Sequence, residues 1–215
     1  MLGQREIVAK NLLDIQAVTL RPEAPFTWAS GLKAPIYTDN RLTISYPWVR
    51  RNIYIGMIDH IKAHFGVENV DVIAGTATAG IPHATLVAER LQKPLIYVRS
   101  KPKDHGQGRQ IEGVLKAGQK VVVIDDLLST GGSVLNAVKA VQAAGGEVLG
   151  VVAIFSYELP ALMANFAAAK LPFYTVTNYT TLIDEAIKQG IVSDDQKASL
   201  HAWRQAPERW SQQQD

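Results

Sequence analysis

Residues 120–133 constrain the fold of this chain more than any other segment. They read KVVVIDDLLSTGGS and begin with an apolar, β-branched run, residues 121–124, that predicts a strand buried on both faces. Two carboxylates, Asp125 and Asp126, follow it, then small hydroxyl and glycine residues, then a helical pattern over residues 134–144. The segment therefore predicts a buried strand, a tight turn and a helix N-terminus, with an acidic pair beside the turn.

The same alternation of strand and helix patterns runs through the middle of the chain. It predicts an α/β fold with a central, mostly parallel sheet flanked by helices, because parallel strands need helical crossovers. Neither a linker nor an internal repeat interrupts the pattern, so we expect a single domain over residues 1–215. The predicted strands cover residues 70–74, 95–98, 121–125, 148–155 and 173–176, and the predicted helices cover residues 4–15, 47–65, 80–91, 131–144, 160–168, 182–189 and 194–204, followed by a frayed tail at 211–215.

The turn at residues 129–133 has the properties of an anion site. A helix N-terminus leaves backbone N–H groups unpaired and carries partial positive charge, and glycine lets the backbone approach a ligand closely. An acidic pair beside a phosphate is explained if the ligand also carries hydroxyls, as a ribose does. The alternative is an ordinary strand-to-helix turn with a Ser or Thr cap and solvated Asp residues. The sequence has no Walker-type loop and no G-x-G-x-x-G turn that opens a helix after a strand.

Composition limits the class of protein. The chain has 215 residues, 47% of them hydrophobic and 20% charged, which is typical of a soluble domain with one substantial core. A formal net charge of +2 gives no argument for a nucleic-acid partner. Because there is no cysteine, disulfides and thiolate chemistry are excluded. No apolar run approaches the length of a membrane span and the N-terminus lacks a signal-peptide core, so we expect a cytoplasmic protein with no membrane partner.

Residues 99–113, RSKPKDHGQGRQIEG, follow a predicted strand and contain almost no apolar side chains. A loop of this length is uncommon in a compact domain unless it has a function such as covering an active site. The alternative is a solvated basic loop. The cationic or proton-donating groups in this segment are Arg99, Lys101, Lys103, His105 and Arg109.

Two further segments have the composition of a site. Residues 74–80, AGTATAG, form a second predicted strand-to-helix turn of small and hydroxyl residues, which is either a capped turn or a functional one. Residues 26–41, FTWASGLKAPIYTDNR, mix aromatic and polar side chains without a period, and Trp28 is expected to pack in the core. Surface or packed roles are expected for the histidines that have no partner at metal-ligand spacing, namely His60, His64, His83 and His201.

Residues 120–133 resemble the 5-phosphoribosyl-1-diphosphate (PRPP) motif of type I phosphoribosyltransferases. The run YVRSKPKDHG is similar to the catalytic loop of the orotate phosphoribosyltransferases in this family, and residues 26–41 resemble their hood, which covers the base. The resemblance covers most of the chain in the family's order. It implies the type I phosphoribosyltransferase fold, with a small N-terminal hood at about residues 20–46 and a mobile catalytic lid at residues 99–113.

The resemblance also implies the roles of site residues. The two acids bind the ribose 2′- and 3′-hydroxyls, the turn after them binds the 5′-phosphate, and Ser129 also contacts orotate. Catalytic roles are implied for Arg99, Lys103, His105, Asp125 and Asp126. The turn on the diphosphate side consists of Thr76, Ala77, Thr78, Ala79 and Gly80. The residues expected to bind PRPP are Arg99, Lys103, His105, Asp125, Asp126, Leu127, Leu128, Ser129, Thr130, Gly131, Gly132 and Ser133.

The activity implied by the resemblance is magnesium-dependent transfer of a 5-phosphoribosyl group from PRPP to orotate. The products are orotidine 5′-monophosphate and diphosphate, in de novo pyrimidine (UMP) biosynthesis. PRPP is expected to supply most of the ligands of the Mg²⁺ ion, and no dedicated protein ligands are expected. The family also implies a homodimer whose lid is shared across the interface.

Three positions depart from the family pattern. Lysines that some orotate enzymes carry are replaced by Ala29 and Ala79, and residues 156–159 contain no arginine for the orotate carboxylate. Three alternatives stay open: a phosphoribosyltransferase for a purine base, a PRPP-sensing transcriptional regulator and a non-enzymatic α/β scaffold. The regulator needs a DNA-binding element, which the sequence does not show, and the scaffold leaves the cationic loop unexplained.

Overall fold

Strands and helices alternate along residues 3–28, 30–101 and 110–214, which are the parts of the chain that the computed structural model describes. The helices are α1 (Gln4–Asp14), α2 (Pro47–His64), α3 (Gly80–Leu91), α4 (Gly132–Ala143), α5 (Pro160–Ala169), α6 (Tyr179–Lys188), α7 (Asp194–Gln205) and α8 (Pro207–Gln212), with 3-10 helices at Asn40–Ser45 and Val67–Asn69. The strands are β1 (Val18–Leu20), β2 (Phe26–Thr27), β3 (Lys33–Ala34), β4 (Ile36–Thr38), β5 (Val72–Thr76), β6 (Leu95–Val98), β7 (Ile111–Glu112), β8 (Lys120–Leu128), β9 (Glu147–Ser156) and β10 (Phe173–Asn178).

A six-stranded sheet forms the centre of the fold, in the order β10-β9-β8-β5-β6-β7. Neighbouring strands are parallel, except that β7 pairs antiparallel with β6. The predicted α/β class with a mostly parallel sheet is confirmed. The order places β8 between β5 and β9, so the acidic pair lies on a central strand rather than on an edge strand.

Strand β8 is buried on both faces, as its apolar run predicts. Val122 and Ile124 pack into a hydrophobic cluster that includes residues of α1, α2, α3, α6 and α7. Val121 and Val123 point to the opposite face, into a second cluster with α4 and α5. Burying a side chain of this size contributes about 1.5–3 kcal/mol, so these four residues anchor the strand that carries the acids.

The chain N-terminal to α2 forms small antiparallel pairs outside the main sheet, β1 with β4 and β2 with β3. The predicted frayed tail is wrong for residues 211–214. Trp210 in α8 is buried, Ser211 accepts a hydrogen bond from the Lys33 backbone N–H (2.9 Å) and the Gln214 carbonyl accepts one from Lys33 Nζ (2.9 Å). One buried tryptophan therefore anchors a polar segment against the hood.

Among the described residues, no helix has both the length and the apolar character needed to cross a bilayer.

Candidate active site

The predicted PRPP motif lies at the carboxyl end of β8, the edge at which parallel sheets bind ligands. The strand is longer than the pattern predicts, because it continues through both acids to Leu128. Leu127 pairs with Phe155 of β9 and Leu128 with Ser156. The Leu128 side chain is fully buried and Leu127 is half-buried. These two residues position the acids and the turn, and Leu128 offers a ligand only its backbone.

Asp125 is the more constrained acid of the pair. Its buried carboxylate accepts hydrogen bonds at Oδ1 from the Thr76 hydroxyl (2.5 Å) and from the Asp126 backbone N–H (2.9 Å). Burial raises the pKa of Asp125, the neighbouring Asp126 charge adds to the rise, and the bond from Thr76 opposes it. The carboxyl is thus held in one orientation at a pKa above the ordinary range of aspartate.

Asp126 is half-buried beside it. Burial raises the pKa of Asp126, while hydrogen bonding to Asp125 and the positive charge of Arg41 oppose the rise. The Asp126 carbonyl accepts a hydrogen bond from the Asn40 side-chain amide (2.8 Å). A residue from the end of the hood therefore fixes the backbone at the second acid.

The turn between β8 and α4 has the geometry of an anion site. Gly131 has a φ of 79°, and a Cβ there would lie 2.7 Å from Phe166 and 2.9 Å from Leu162. It is the N-cap residue of α4 and supplies no capping side chain, so the first N–H groups of the helix are available to a ligand. The residues around this turn that are exposed or half-buried are Ser129, Thr130, Gly132 and Ser133.

The turn after β5 lies directly beside the acids, because β5 and β8 are neighbouring strands. Thr76 ends β5 and its hydroxyl hydrogen bonds to Asp125. Gly80 begins α3 in contact with both strands, since a Cβ there would lie 2.5 Å from Thr76 Oγ1 and 2.7 Å from the carbonyl oxygen of Ile124. Between these residues, Ala77 and Ala79 are half-buried, Thr78 is exposed and the Ala77–Thr78 peptide bond is cis.

Hydrogen bonds join the two ends of the predicted lid. Arg99 and Gln110 exchange hydrogen bonds, from the Arg99 N–H to the Gln110 carbonyl (2.9 Å) and from the Gln110 amide to the Arg99 carbonyl (2.8 Å). The Arg99 guanidinium lies 3.7 Å from a carboxylate oxygen of Glu112. Lys103 and His105, for which the family resemblance implies catalytic roles, lie outside the described residues.

Trp28 of the hood has the packing role that the sequence predicts. Its ring contacts Tyr157 (centroids 5.1 Å apart) and Trp203 (5.6 Å), and its Nε1–H donates to the Ile36 carbonyl (3.1 Å). The aromatic cluster joins the hood to α7 and to the residue that follows β9. Ala29, one of the departures from the family pattern, lies outside the described residues.

A polar network that the sequence does not reveal lies near the acids. The Thr43 hydroxyl donates to the Asn40 carbonyl (2.6 Å), so it accepts from Nε2–H of His83 (3.3 Å), because a hydroxyl has a single hydrogen. Burial lowers the pKa of His83 to about 4, which keeps the imidazole neutral. The packed role expected for this histidine is confirmed. No local pattern could reveal the network, because its partners lie 40 or more positions apart, Thr43–Asn40 excepted.

The two acids also bear on metal binding. In the described part of the chain, no group of three or more His, Cys, Asp or Glu side chains is placed to hold a metal ion. Asp125 and Asp126 nevertheless offer carboxylate oxygens, which Mg²⁺ prefers, next to an anion-binding turn. The donor set fits a hydrated Mg²⁺ that a phosphate-bearing ligand shares with the protein.

Comparisons with known proteins agree on one family. Residues 51–192 match the phosphoribosyl transferase domain. Over 203 residues, which are 94% of this chain and 95% of the relative, the sequence is 64% identical to the orotate phosphoribosyltransferase of Lactiplantibacillus plantarum. The fold is similar to Leishmania donovani UMP synthase, with a TM-score of 0.79 and 29% identity over 94% of this chain and 42% of that chain. It is also similar to the Mycobacterium tuberculosis orotate phosphoribosyltransferase in complex with PRPP, with a TM-score of 0.65 and 27% identity over 84% of this chain and 99% of that chain.

Proposed function

The chain belongs to the orotate phosphoribosyltransferases, within the phosphoribosyl transferase domain family, and from this premise we propose how its residues act. It is a transferase of pyrimidine biosynthesis. We propose PRPP as the donor, orotate as the acceptor and Mg²⁺ as the cofactor. In this reaction the bond from C1′ to the diphosphate oxygen breaks and the diphosphate leaves with the electron pair. N1 of orotate bonds to C1′ and loses its proton, which passes to the released diphosphate or to solvent. The observation that carries the proposal is the acidic pair followed by an anion-binding turn at the end of β8.

Asp125 and Asp126 orient the ribose of PRPP. Their carboxylates would accept hydrogen bonds from the 2′- and 3′-hydroxyls, or would contact these hydroxyls through an Mg²⁺ held mainly by PRPP, which would neutralise diphosphate charge. The Thr76 hydroxyl holds Asp125 and the Asn40 amide holds the backbone of Asp126. Because both acids are held before substrate binds, little of the binding energy is lost in ordering them.

The turn after β8 binds the 5′-phosphate. Thr130, Ser133 and the N–H groups at the start of α4 are the donors, and Ser129 at the beginning of the turn faces the base. An anion at this helix N-terminus gains from the helix dipole as well as from hydrogen bonds. Holding the phosphate and the ribose together fixes the position of C1′ against the incoming orotate.

Catalysis then depends on stabilising separated charge. As the C1′ bond breaks, positive charge builds on the ribose ring and negative charge on the diphosphate. Arg99 and Lys103 of the lid neutralise the departing oxygens, and His105 either adds charge or donates a proton. The turn from Thr76 to Gly80 contributes on the diphosphate side, which its position beside Asp125 supports.

The proposal includes the organisation of the protein. We infer one domain over residues 1–215, with the hood at about 20–46 and the lid at 99–113, acting in the cytoplasm as a homodimer whose lid is shared across the interface. Packing of both hydrophobic clusters on one sheet supports the single domain. Exposed aromatic rings at Tyr46 and Trp48, with centroids 6.4 Å apart, support a subunit interface. No nucleic-acid or membrane partner is expected.

The proposal is tested by the loss of orotate absorbance when the protein, PRPP and Mg²⁺ are combined. Turnover should stop when the metal is chelated and return when Mg²⁺ is restored. Release of diphosphate with orotate, but not with adenine, xanthine or uracil, separates the reaction from those of other phosphoribosyltransferases. Folded protein that leaves the orotate absorbance unchanged under these conditions would overturn the proposal.

A further inference from the structure

The acceptor site needs groups that pair with a carboxylate. Orotate is a pyrimidine with a carboxylate beside the nitrogen that reacts, and a buried or half-buried carboxylate requires a paired charge or several donors. Residues 156–159, at the end of β9, contain no cation and carry Glu158 instead. The carboxylate must therefore be recognised from another element. This inference rests on the proposed function.

Most cationic side chains of the hood and the C-terminal helices contact groups other than the two acids. Their described partners are Phe26 for Arg21, the Gln214 carbonyl for Lys33, and Glu158 and Thr180 for Arg204. Arg41 differs from these because it follows Asn40, whose amide is bonded to the Asp126 carbonyl. The hydrogen bond brings the backbone at Arg41 to the end of β8.

With respect to the described residues, the guanidinium of Arg41 has one occupied edge and one open edge. Its Nε and Nη2 donate to the two carboxylate oxygens of Asp39, at 2.6 and 2.8 Å. A guanidinium carries five N–H donors in a plane, so this pairing leaves the edge formed by Nη1 and Nη2 for a second carboxylate. The side chain is 65% exposed, and Asp39 fixes the orientation of the open edge.

The charge of Arg41 also reaches the acidic pair. Asp39 contributes most to the raised pKa of Arg41, and Tyr37 and Asp126 add to it. In return, Arg41 opposes the rise in the pKa of Asp126. This mutual influence agrees with the hydrogen bond from Asn40 to the Asp126 carbonyl, which places the neighbouring Arg41 beside the acids.

We propose that Arg41 binds the carboxylate of orotate through its Nη1–Nη2 edge, and that Asp39 is the residue that positions it. The planar fork matches a carboxylate in a bidentate pair, which is stronger and more directional than a single hydrogen bond. Arg41 then distinguishes orotate from pyrimidines that lack the carboxylate. It supplies the cation that the end of β9 does not.

The test is a comparison of two Michaelis constants in the full-length enzyme. Arg41→Gln should raise the KM for orotate by roughly 10- to 100-fold, since it removes two charge-assisted hydrogen bonds, and should leave the KM for PRPP within about twofold. Arg41→Lys keeps the charge but loses the fork and should give an intermediate KM. Arg5→Gln, an exposed arginine on α1, is the matched control and should change neither constant.

Direct titration of orotate into the PRPP-analogue complex of each variant supplies a second measurement, with the same order of affinities expected. An unchanged orotate KM in Arg41→Gln would overturn the inference. So would equal rises in the KM values for orotate and PRPP, which indicate a structural role. If wild-type protein fails to consume orotate, the proposed function fails; if wild-type protein is active and Arg41→Gln equals it, only the role of Arg41 fails.

Discussion

Thr76 supports the site by donating one hydrogen bond from its hydroxyl. Its hydroxyl is the side-chain donor to the buried Asp125 carboxylate, and a hydrogen bond to a charged group contributes about 1.5–3 kcal/mol. Thr76→Val keeps the shape of the side chain and removes that donor. We expect kcat/KM for PRPP to fall by roughly 10-fold or more, because the carboxylate is then less readily ionised and less well oriented.

Thr76→Ser is the control for this prediction, since it restores the hydroxyl without the methyl group. Its kcat/KM should lie close to that of the wild type. Steady-state kinetics with varied PRPP makes the comparison. Equal activity in the Val and Ser variants would show that the hydroxyl does not support Asp125.

The buried carboxyl of Asp125 should make the free enzyme less stable as pH rises. Below about pH 4 the group is protonated in both folded and unfolded protein and contributes nothing to the difference. Above that pH the unfolded chain releases the proton while burial favours keeping it in the folded state, so stability falls as pH rises through the raised pKa. Each unit of elevation corresponds to about 1.4 kcal/mol.

Asp125→Asn removes this cost and keeps Oδ1 as the acceptor for Thr76 and for the Asp126 N–H. The variant should be inactive, yet melt above the wild type at pH 8, by about 2–4 °C for each kcal/mol gained, with the difference shrinking towards pH 4. Thermal melts at several pH values test this. Asp59→Asn, at an exposed position of α2, is the control. A difference in melting temperature that is the same at every pH would show that the Asp125 carboxyl is not responsible.

At the scale of elements, the turn after β8 depends on one glycine more than on the other. At Gly131 the positive φ and the contacts with Phe166 and Leu162 both exclude a side chain, whereas a Cβ at Gly132 meets only Thr130 Oγ1, at 3.8 Å. Gly131→Ala should therefore lose about 1–3 kcal/mol of stability, and Gly132→Ala should lose little. Denaturant unfolding of both variants gives the comparison. Equal stabilities would show that α5 does not constrain the turn.

The elements differ in how far the sequence predicts them, and length explains much of the difference. Strands β8 and β9 span 9 and 10 residues, enough for an apolar run to stand out. Strands β2 and β3 have two residues each, and backbone hydrogen bonds define them without any side-chain period. The sequence does not predict helix α8, because the segment is polar and a single residue, Trp210, supplies its buried contact.

The candidate site divides in the same way. The acids and the turn that follows them are predictable because they are contiguous in the sequence. The contacts that hold them are not, since Thr76 lies 49 positions from Asp125 and Asn40 lies 86 positions from Asp126. The sequence does not distinguish Arg41, because Asp39, two positions away, makes it an ordinary surface ion pair. Only the fold shows that the pair adjoins the acids.

For the whole molecule, the proposal of a homodimer with a shared lid makes a prediction about mixtures of two inactive variants. Lys103→Ala should lower kcat by roughly 10²–10³-fold, by analogy with the loss of one preorganised charge-stabilising group. Asp125→Asn should inactivate the sheet part of the site. If the lid acts across a dimer interface, each heterodimer of these two variants contains one site with an intact lid and intact acids, and one site that lacks both.

Unfolding the two variants together in equal amounts and refolding them, or expressing them together, should therefore restore about a quarter of wild-type activity, because half of randomly paired dimers are mixed and each has one working site of two. Each variant refolded alone is the control and should stay inactive. If the lid closes the site of its own subunit, every site in the mixture has one defect and no activity returns. Recovery of activity thus reports directly on the shared lid, in solution and without a ligand-bound structure.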